Sequence, residues 1–436
     1  MTPHPHPSRS ENLASYAQQR AQVLQWLQTQ FVPEMAVLLF LPLMTAQVPE
    51  LGPLLVLAQF GLMALLIAAR PVQCLGALTH WWPLLATPII ALASCVWSEL
   101  PAESARYAMQ FFFTCFTGVF LATLVTPSRF LQMSFLGMLG FCVLSILSHR
   151  TGPSFHGEVL IGFTGSKNQM GLAGFMLLMA AMATALDNKI HPRIRLLVIP
   201  AIPIALYVVA STDTATAVLI AAAAAPLLLL LHISERFHPA TRIGLMLAVV
   251  LVLSPLALIW NDAVDWATNT LFNSMGKDAT LTGRTYLWER AHELIARRPL
   301  EGHGYQAFWV GDSADIIGIL RWADLQDGRT FNFHNTYLQV AVDTGYLGMG
   351  SLVLTLIAIG LGGFRQFVLN PTVATSYFFI NFIVLIMISF TEVILLPFLP
   401  RTMLLFVCGV YAWKGSVAPR PAKTPEVSWR RRHLWT

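Results

Sequence analysis

Charge is what this sequence has least of. Asp, Glu, Lys and Arg make up only 11% of its 436 residues, against 56% hydrophobic. Soluble chains average about a quarter charged residues. A chain so poor in charge cannot cover a water-facing surface, which excludes a string of soluble domains. Cysteine is scarce too. Cys74, Cys95, Cys115, Cys142 and Cys408 lie in or near apolar runs, none in the long polar stretch, and their spacing suggests neither a metal site nor a structural disulfide. Residues 1–30 hold no apolar core of the length a cleavable signal needs.

What the chain has is apolar runs. Roughly 20 apolar residues cross about 30 Å of hydrocarbon. The expected fold is an all-α polytopic membrane protein of about twelve spans: 32–47, 53–69, 81–97, 108–126, 130–148, 169–186, 196–211, 215–233, 243–260, 336–362, 373–391 and 398–413. The stretch 336–362 suits one long tilted helix. Residues 1–31 form an N-terminal segment, 32–260 carry spans one to nine, 261–335 a large loop, 336–413 spans ten to twelve, and 414–436 a basic tail. Leu13, Tyr16, Ala17, Ala21, Leu24 and Leu27 share one helical face, so 12–30 suits an interfacial helix, with a plain disordered tail as the rival.

Positive charge orients the spans. With both termini cytoplasmic, the even-numbered connections and the tails hold 16 of the 27 basic residues, and seven of the other 11 fall in 261–335. The terminal "RRRHLW" is then a solvated tail near anionic lipid, not a nucleic-acid patch. The 75-residue stretch 261–335 lies outside, in a periplasm, and is too long to be structureless.

In that loop Leu287, Trp288, Ala291, Leu294 and Ile295 recur at helical spacing, with Thr282 able to cap and Pro299 to stop. A helix from 284 to about 298 follows, its apolar face on the spans or the bilayer. Arg284 stands in the first turn, where the dipole disfavours a cation unless an anion lies between them. The rival is an arginine reaching solvent or a lipid phosphate. "GHG", Gly302 to Gly304, allows close backbone approach or simply a turn. "GKD", Gly276 to Asp278, is equally bare. Lys167 and Asn168 open another apolar helix after "GFTGS", and His334–Asn335 opens a third. Three polar helix starts at the outer face could meet on one anion.

"HNTYLQVAVDTGYLG", "GSKNQMG" and "GKDATLTGRTYLW" followed by "PLEGHGYQAF" resemble, in order, motifs of the O-antigen ligase and Wzy-type polymerase superfamily. The last pair is most similar to the exopolysaccharide polymerase (ExoQ-type) branch. The resemblance implies transfer of a glycan from undecaprenyl diphosphate to a sugar hydroxyl outside the inner membrane, without metal or other cofactor. The acceptor would be another lipid-linked repeat in a polymerase, or lipid A core in a ligase. A chain-length regulator is a further partner to expect, besides membrane lipid.

The residue chemistry suits that reaction. A departing diphosphate needs a bidentate cation, which Arg284 supplies, with Lys167 as a second charge. A sugar hydroxyl gains from a base, which His334 supplies. Asn168 and Asn335 could orient substrate or cap helices, capping being the better reading of Asn335. Ligases carry an arginine after a Ser-rich stretch where this chain has "ASTDTATAVL", with Asp213 and no basic residue. Lys167, Arg106, Arg150 and Arg401 are left to substitute, and Asp213 could contact sugar hydroxyls. Substrate contacts are thus expected at Lys167, Asn168, Asn335, Asp213, Gly302, Gly304 and Arg401. Asp343 is nine residues from His334, or 900° of helix, hence on the opposite face. Glu392 and Arg401 could line the cavity or pair with each other. The competing class is a transporter or flippase, but no repeat relates the halves and charges are sparse inside the spans.

Overall fold

The computed structural model describes residues 30–154, 157–258, 282–323 and 331–414. The "GKD" turn, the expected interfacial helix apart from Gln30, and the tail beyond Lys414 lie outside these residues.

The chain is a helical bundle. In order it forms α1 (Val32–Thr45), α2 (Gly52–Ala69), α3 (Pro71–Trp81), α4 (Ala86–Ala93), α5 (Pro101–Leu124), α6 (Pro127–Leu147), α7 (Lys167–Leu186), α8 (Pro192–Leu196), α9 (Val198–Ser211), α10 (Ala215–Ser234) and α11 (Pro239–Leu258). After the loop come α12 (Thr282–Arg297), α13 (Ala307–Val310), α14 (Ala314–Trp322), α15 (Thr336–Leu369), α16 (Val373–Ser389) and α17 (Pro400–Lys414). Among the described residues the apolar runs fall on helices, except that the third, 81–97, straddles a break. Among the described residues seven helical segments are long and apolar enough to cross a membrane, or up to eight with a bent pair taken as one. That pair corrects the third expected span. The helix already starts at Pro71, where proline suits a first turn, and turns by 90° before resuming at Ala86. Pro83 stands in the break. The only strands among the described residues form a hairpin, Thr151–Ser154 against Gly157–Leu160, paired Thr151↔Leu160.

The bundle centres on α7, which packs against α6, α9, α10 and α16 and is buried over most of its length. In contrast α2 leaves Leu54, Leu57 and Leu65 more than 60% bare. An apolar exterior of this kind suits hydrocarbon rather than water.

A second, smaller core lies under the loop. Leu287, Ala291, Leu294 and Ile295 of α12 pack with Phe308, Trp309, Ile316, Phe333, Ala341 and Val342. The predicted helix thus packs its apolar face onto the start of α15, and Trp288 ties it to Phe333 O at 3.0 Å. This unit forms a cap on the bundle.

The expected long helix over 336–362 is broken at Gly345 (φ 64°, ψ −165°). The break frees carbonyls at Val342 and Asp343 and N–H groups at Tyr346 and Leu347. All four find partners in the segment after α12. His303 and Gly304 donate to Val342 O and Asp343 O, both at 2.9 Å, while Tyr346 and Leu347 donate to Pro299 O and Leu300 O at 2.8 and 3.2 Å. Each such group left unpaired would cost about 1–3 kcal/mol. The close approach needs glycine. A Cβ on Gly345 would collide with the Leu300 carbonyl, and one on Gly302 would come within 2.6 Å of the Asp343–Gly345 backbone.

Candidate functional site

His334 enters α15 through a left-handed backbone (φ 49°), a conformation that non-glycine residues seldom hold without cause. Its own N–H donates to Asn332 Oδ1 at 2.8 Å. Asn335 caps the helix: its side-chain oxygen accepts from Tyr337 N and Leu338 N at 3.0 and 3.1 Å, and its amide reaches Phe390 O at 3.3 Å. Capping is therefore the contact Asn335 makes.

The loop between α16 and α17 is held against this helix start. Thr336 Oγ1 donates to Glu392 O at 2.8 Å and accepts from Ile394 N at 3.0 Å. Thr402 Oγ1 donates to Ile394 O and Leu396 O at 2.6 and 2.8 Å. These bonds fix Glu392 between three basic groups. Its Oε2 lies 3.5 Å from His334 Nδ1 and its Oε1 lies 3.8 Å from an Arg284 terminal nitrogen. Both are ion-pair distances rather than short hydrogen bonds. Arg401, 5% exposed and with a buried, unpaired Nε, adds its charge. Burial pushes the Glu392 carboxyl up, but His334, Arg401 and Arg284 outweigh it and hold the group below the ordinary carboxylate value.

A second cluster joins Lys167 and Asp213. Lys167 Nζ donates to Ser154 Oγ at 2.7 Å, Ser154 donates to Asp213 Oδ2 at 2.6 Å, and the ammonium and carboxylate are 3.6 Å apart. Asp213 is also left-handed (φ 47°). Lys189, just past α7, and Thr372, just before α16, line one cavity. The start of α7 therefore lies at the same end of the bundle as the end of α16, so both clusters share one face.

The other expected residues are placed differently. Asn168 is exposed in the first turn of α7. Gly302 and Gly304 are buried, and their backbones hold the α15 break. Asp343 is buried and accepts from Gln339 at 3.1 Å and Gln306 at 3.4 Å; His334 stands outside α15, so the spacing of a continuous helix does not apply to the two. Two participants were not on the expected contact list. Glu392 was read as able to line the cavity or to pair with Arg401, whose charge it does feel, and Ser154, on the small hairpin, carries no signal in a single sequence.

Comparison with known proteins agrees with the motifs. Residues 200–353 match the family model described as O-Antigen ligase. The chain is 26% identical to Exopolysaccharide production protein ExoQ of Rhizobium meliloti (strain 1021), over 72% of each chain. It is thus similar to the O-antigen ligase family and, within that superfamily, to the ExoQ type. The matched stretch contains Asp213, Arg284 and His334; Lys167, Glu392 and Arg401 fall beyond it.

Proposed function

We propose that the protein is a polysaccharide polymerase of the membrane, joining undecaprenyl-diphosphate-linked glycan repeats at the outer face of the inner membrane. The observation that carries this reading is one carboxylate, Glu392, facing both His334 and Arg284. With Glu392 beside Nδ1, the imidazole presents Nε2 as a base. The acceptor hydroxyl gives its proton to Nε2 while its oxygen attacks the donor's anomeric carbon. The bond from that carbon to phosphate oxygen breaks, and the electron pair leaves with undecaprenyl diphosphate. Arg284 and Arg401 meet the growing charge, as preorganised cations do in a poorly solvated site. Lys167, tethered to Asp213, is the second contact with the donor, and Asn168 and Asp213 face sugar. No metal enters this scheme.

The topology that belongs to this reading has twelve spans, cytoplasmic termini and a periplasmic cap, supported by the distribution of Lys and Arg. A ligase acting on lipid A core is the second reading, favoured by the family description of the matched segment. Reconstitution with a lipid-linked repeat separates them. Longer lipid-linked chains, lost in His334→Ala, are expected. Transfer only to lipid A core would make the protein a ligase, and translocation of intact lipid-linked glycan a flippase.

A further inference from the structure

We propose that the end of the bundle opposite His334 holds a binding site for a polyol phosphate, the chemistry of an anionic glycerophospholipid headgroup. The site is a cavity of about 380 Å³ among the start of α6, the turn after α7, the end of α15 and the start of α16. Gln366, which lines it, lies roughly 30 Å of helix at 1.5 Å per residue beyond the α15 break at Gly345, and His334 lies before that break. It therefore stands apart from the His334–Arg284–Glu392 and Lys167–Asp213 clusters and does not depend on their reading.

Its walls are built for an anion. Arg129 and Lys189 both line it. Two carboxylates lie near. Glu34 is 3.7 Å from Arg129 Nε, and Asp187 accepts the Lys189 N–H at 2.9 Å with its side chain turned into the protein. One guanidinium is thus shared with a carboxylate, while the Lys189 ammonium forms no ion pair among the described residues. The start of α6 adds donors. Thr126 makes no side-chain cap and Pro127 has no N–H, so the N–H groups of Ser128 and Arg129 have no partner in the helix. The positive end of the dipole of this 21-residue helix meets the same cavity. The start of α16 is different, because Thr372 and Thr375 exchange hydrogen bonds and cap it.

Gln366 indicates the rest of the ligand. Its side chain lines the cavity and is 6% exposed; its amide nitrogen donates to Asn370 O at 3.3 Å, and its Oε1 is buried with no partner. A buried acceptor needs a donor. The phosphodiester of a lipid headgroup offers acceptors to Arg129, Lys189 and the free N–H groups but no donor for Gln366. A hydroxyl beside the phosphate supplies it. Basic pockets between helices hold lipid headgroups in this way.

The test uses the full chain purified in detergent and in phosphatidylcholine nanodiscs. Native mass spectrometry should show retention of phosphatidylglycerol over phosphatidylcholine, reduced about tenfold or more in Arg129→Ala/Lys189→Ala and recovered in part by Arg129→Lys with Lys189 intact. Calorimetric titration of the nanodiscs with glycerol 1-phosphate and with inorganic phosphate identifies the source. Binding of glycerol 1-phosphate lost in the double variant supports a site for the free headgroup; retention of the lipid without it supports a lipid source. Undiminished phosphatidylglycerol retention in the double variant, equal retention of phosphatidylcholine, or binding of inorganic phosphate as tight as that of glycerol 1-phosphate would overturn the proposal.

Discussion

The Lys167–Asp213 and the His334–Arg284–Glu392 clusters use the same parts in different proportions. Among the described residues Lys167 supplies one ammonium and Ser154 one hydroxyl to the Asp213 carboxylate, a balanced pair of charges. Around Glu392 one carboxylate faces two guanidiniums and an imidazole, leaving positive charge over even with the imidazole neutral. For the proposed lipid diphosphate, attraction follows the surplus, so in the proposed function the leaving group is assigned to the Glu392 cluster and a secondary contact to the Asp213 cluster. A cation already balanced by a carboxylate loses part of its attraction when it must be shared.

The strongest way to break this comparison is to remove the excess groups. His334→Ala is expected to slow chain elongation by about a hundredfold or more, the range for a lost general base. Arg284→Ala should cost about tenfold to a hundredfold, with incomplete recovery by Lys because the bidentate fork is gone. Radiolabelled repeat units in proteoliposomes measure both; full activity in either variant would move the reaction elsewhere.

Glu392→Gln sharpens the comparison through pH. The carboxyl titrates below its usual value, so its stabilising share is complete above the unfolded value of about 4.3 and is lost as pH falls through the lower folded one. Thermal melting in detergent should show wild type above the Gln variant at neutral pH and the two converging in acid. A gap that widened in acid would mean that the carboxylate is not held by its basic neighbours.

The smallest effects belong to the Lys167–Asp213 cluster. Lys167→Ala is expected to lower elongation only a few-fold, about the worth of one shared ion pair. Asp213→Asn should lower the donor concentration needed for half-maximal rate, because it frees that ammonium. If Lys167→Ala matched Arg284→Ala, the two clusters would be equivalent and the charge argument would fail.

Much of this architecture was legible in the residues, and the exceptions share a cause. Apolar runs disclosed the helices because membrane length and hydropathy are local properties. The face of α12 followed from the spacing of Leu287, Ala291 and Leu294. The role of Glu392 did not, since it depends on Thr336 and Thr402 holding a distant loop in place. The backbone contact of Gly302 and Gly304 with the break at Gly345 was not legible, because the break lies 43 and 41 residues further along the chain. The bend at Trp82–Leu85 was hidden by its apolar composition, which continues through the corner.

The cap has a mechanical consequence. Phe333, Ala341 and Val342 pack with Leu287, Ala291 and Leu294, so the stub of α15 before Gly345 is carried with α12. His334 and Arg284 are thereby mounted on one small rigid piece, and Glu392 on the bundle beneath it. The spacing of the first two is set by the cap's own packing. Their spacing to Glu392 is set where this piece meets the loop after α16, through the bonds of Asn335 to Phe390 O and of Thr336 to Glu392 O and Ile394 N. Losing those bonds would loosen both distances together.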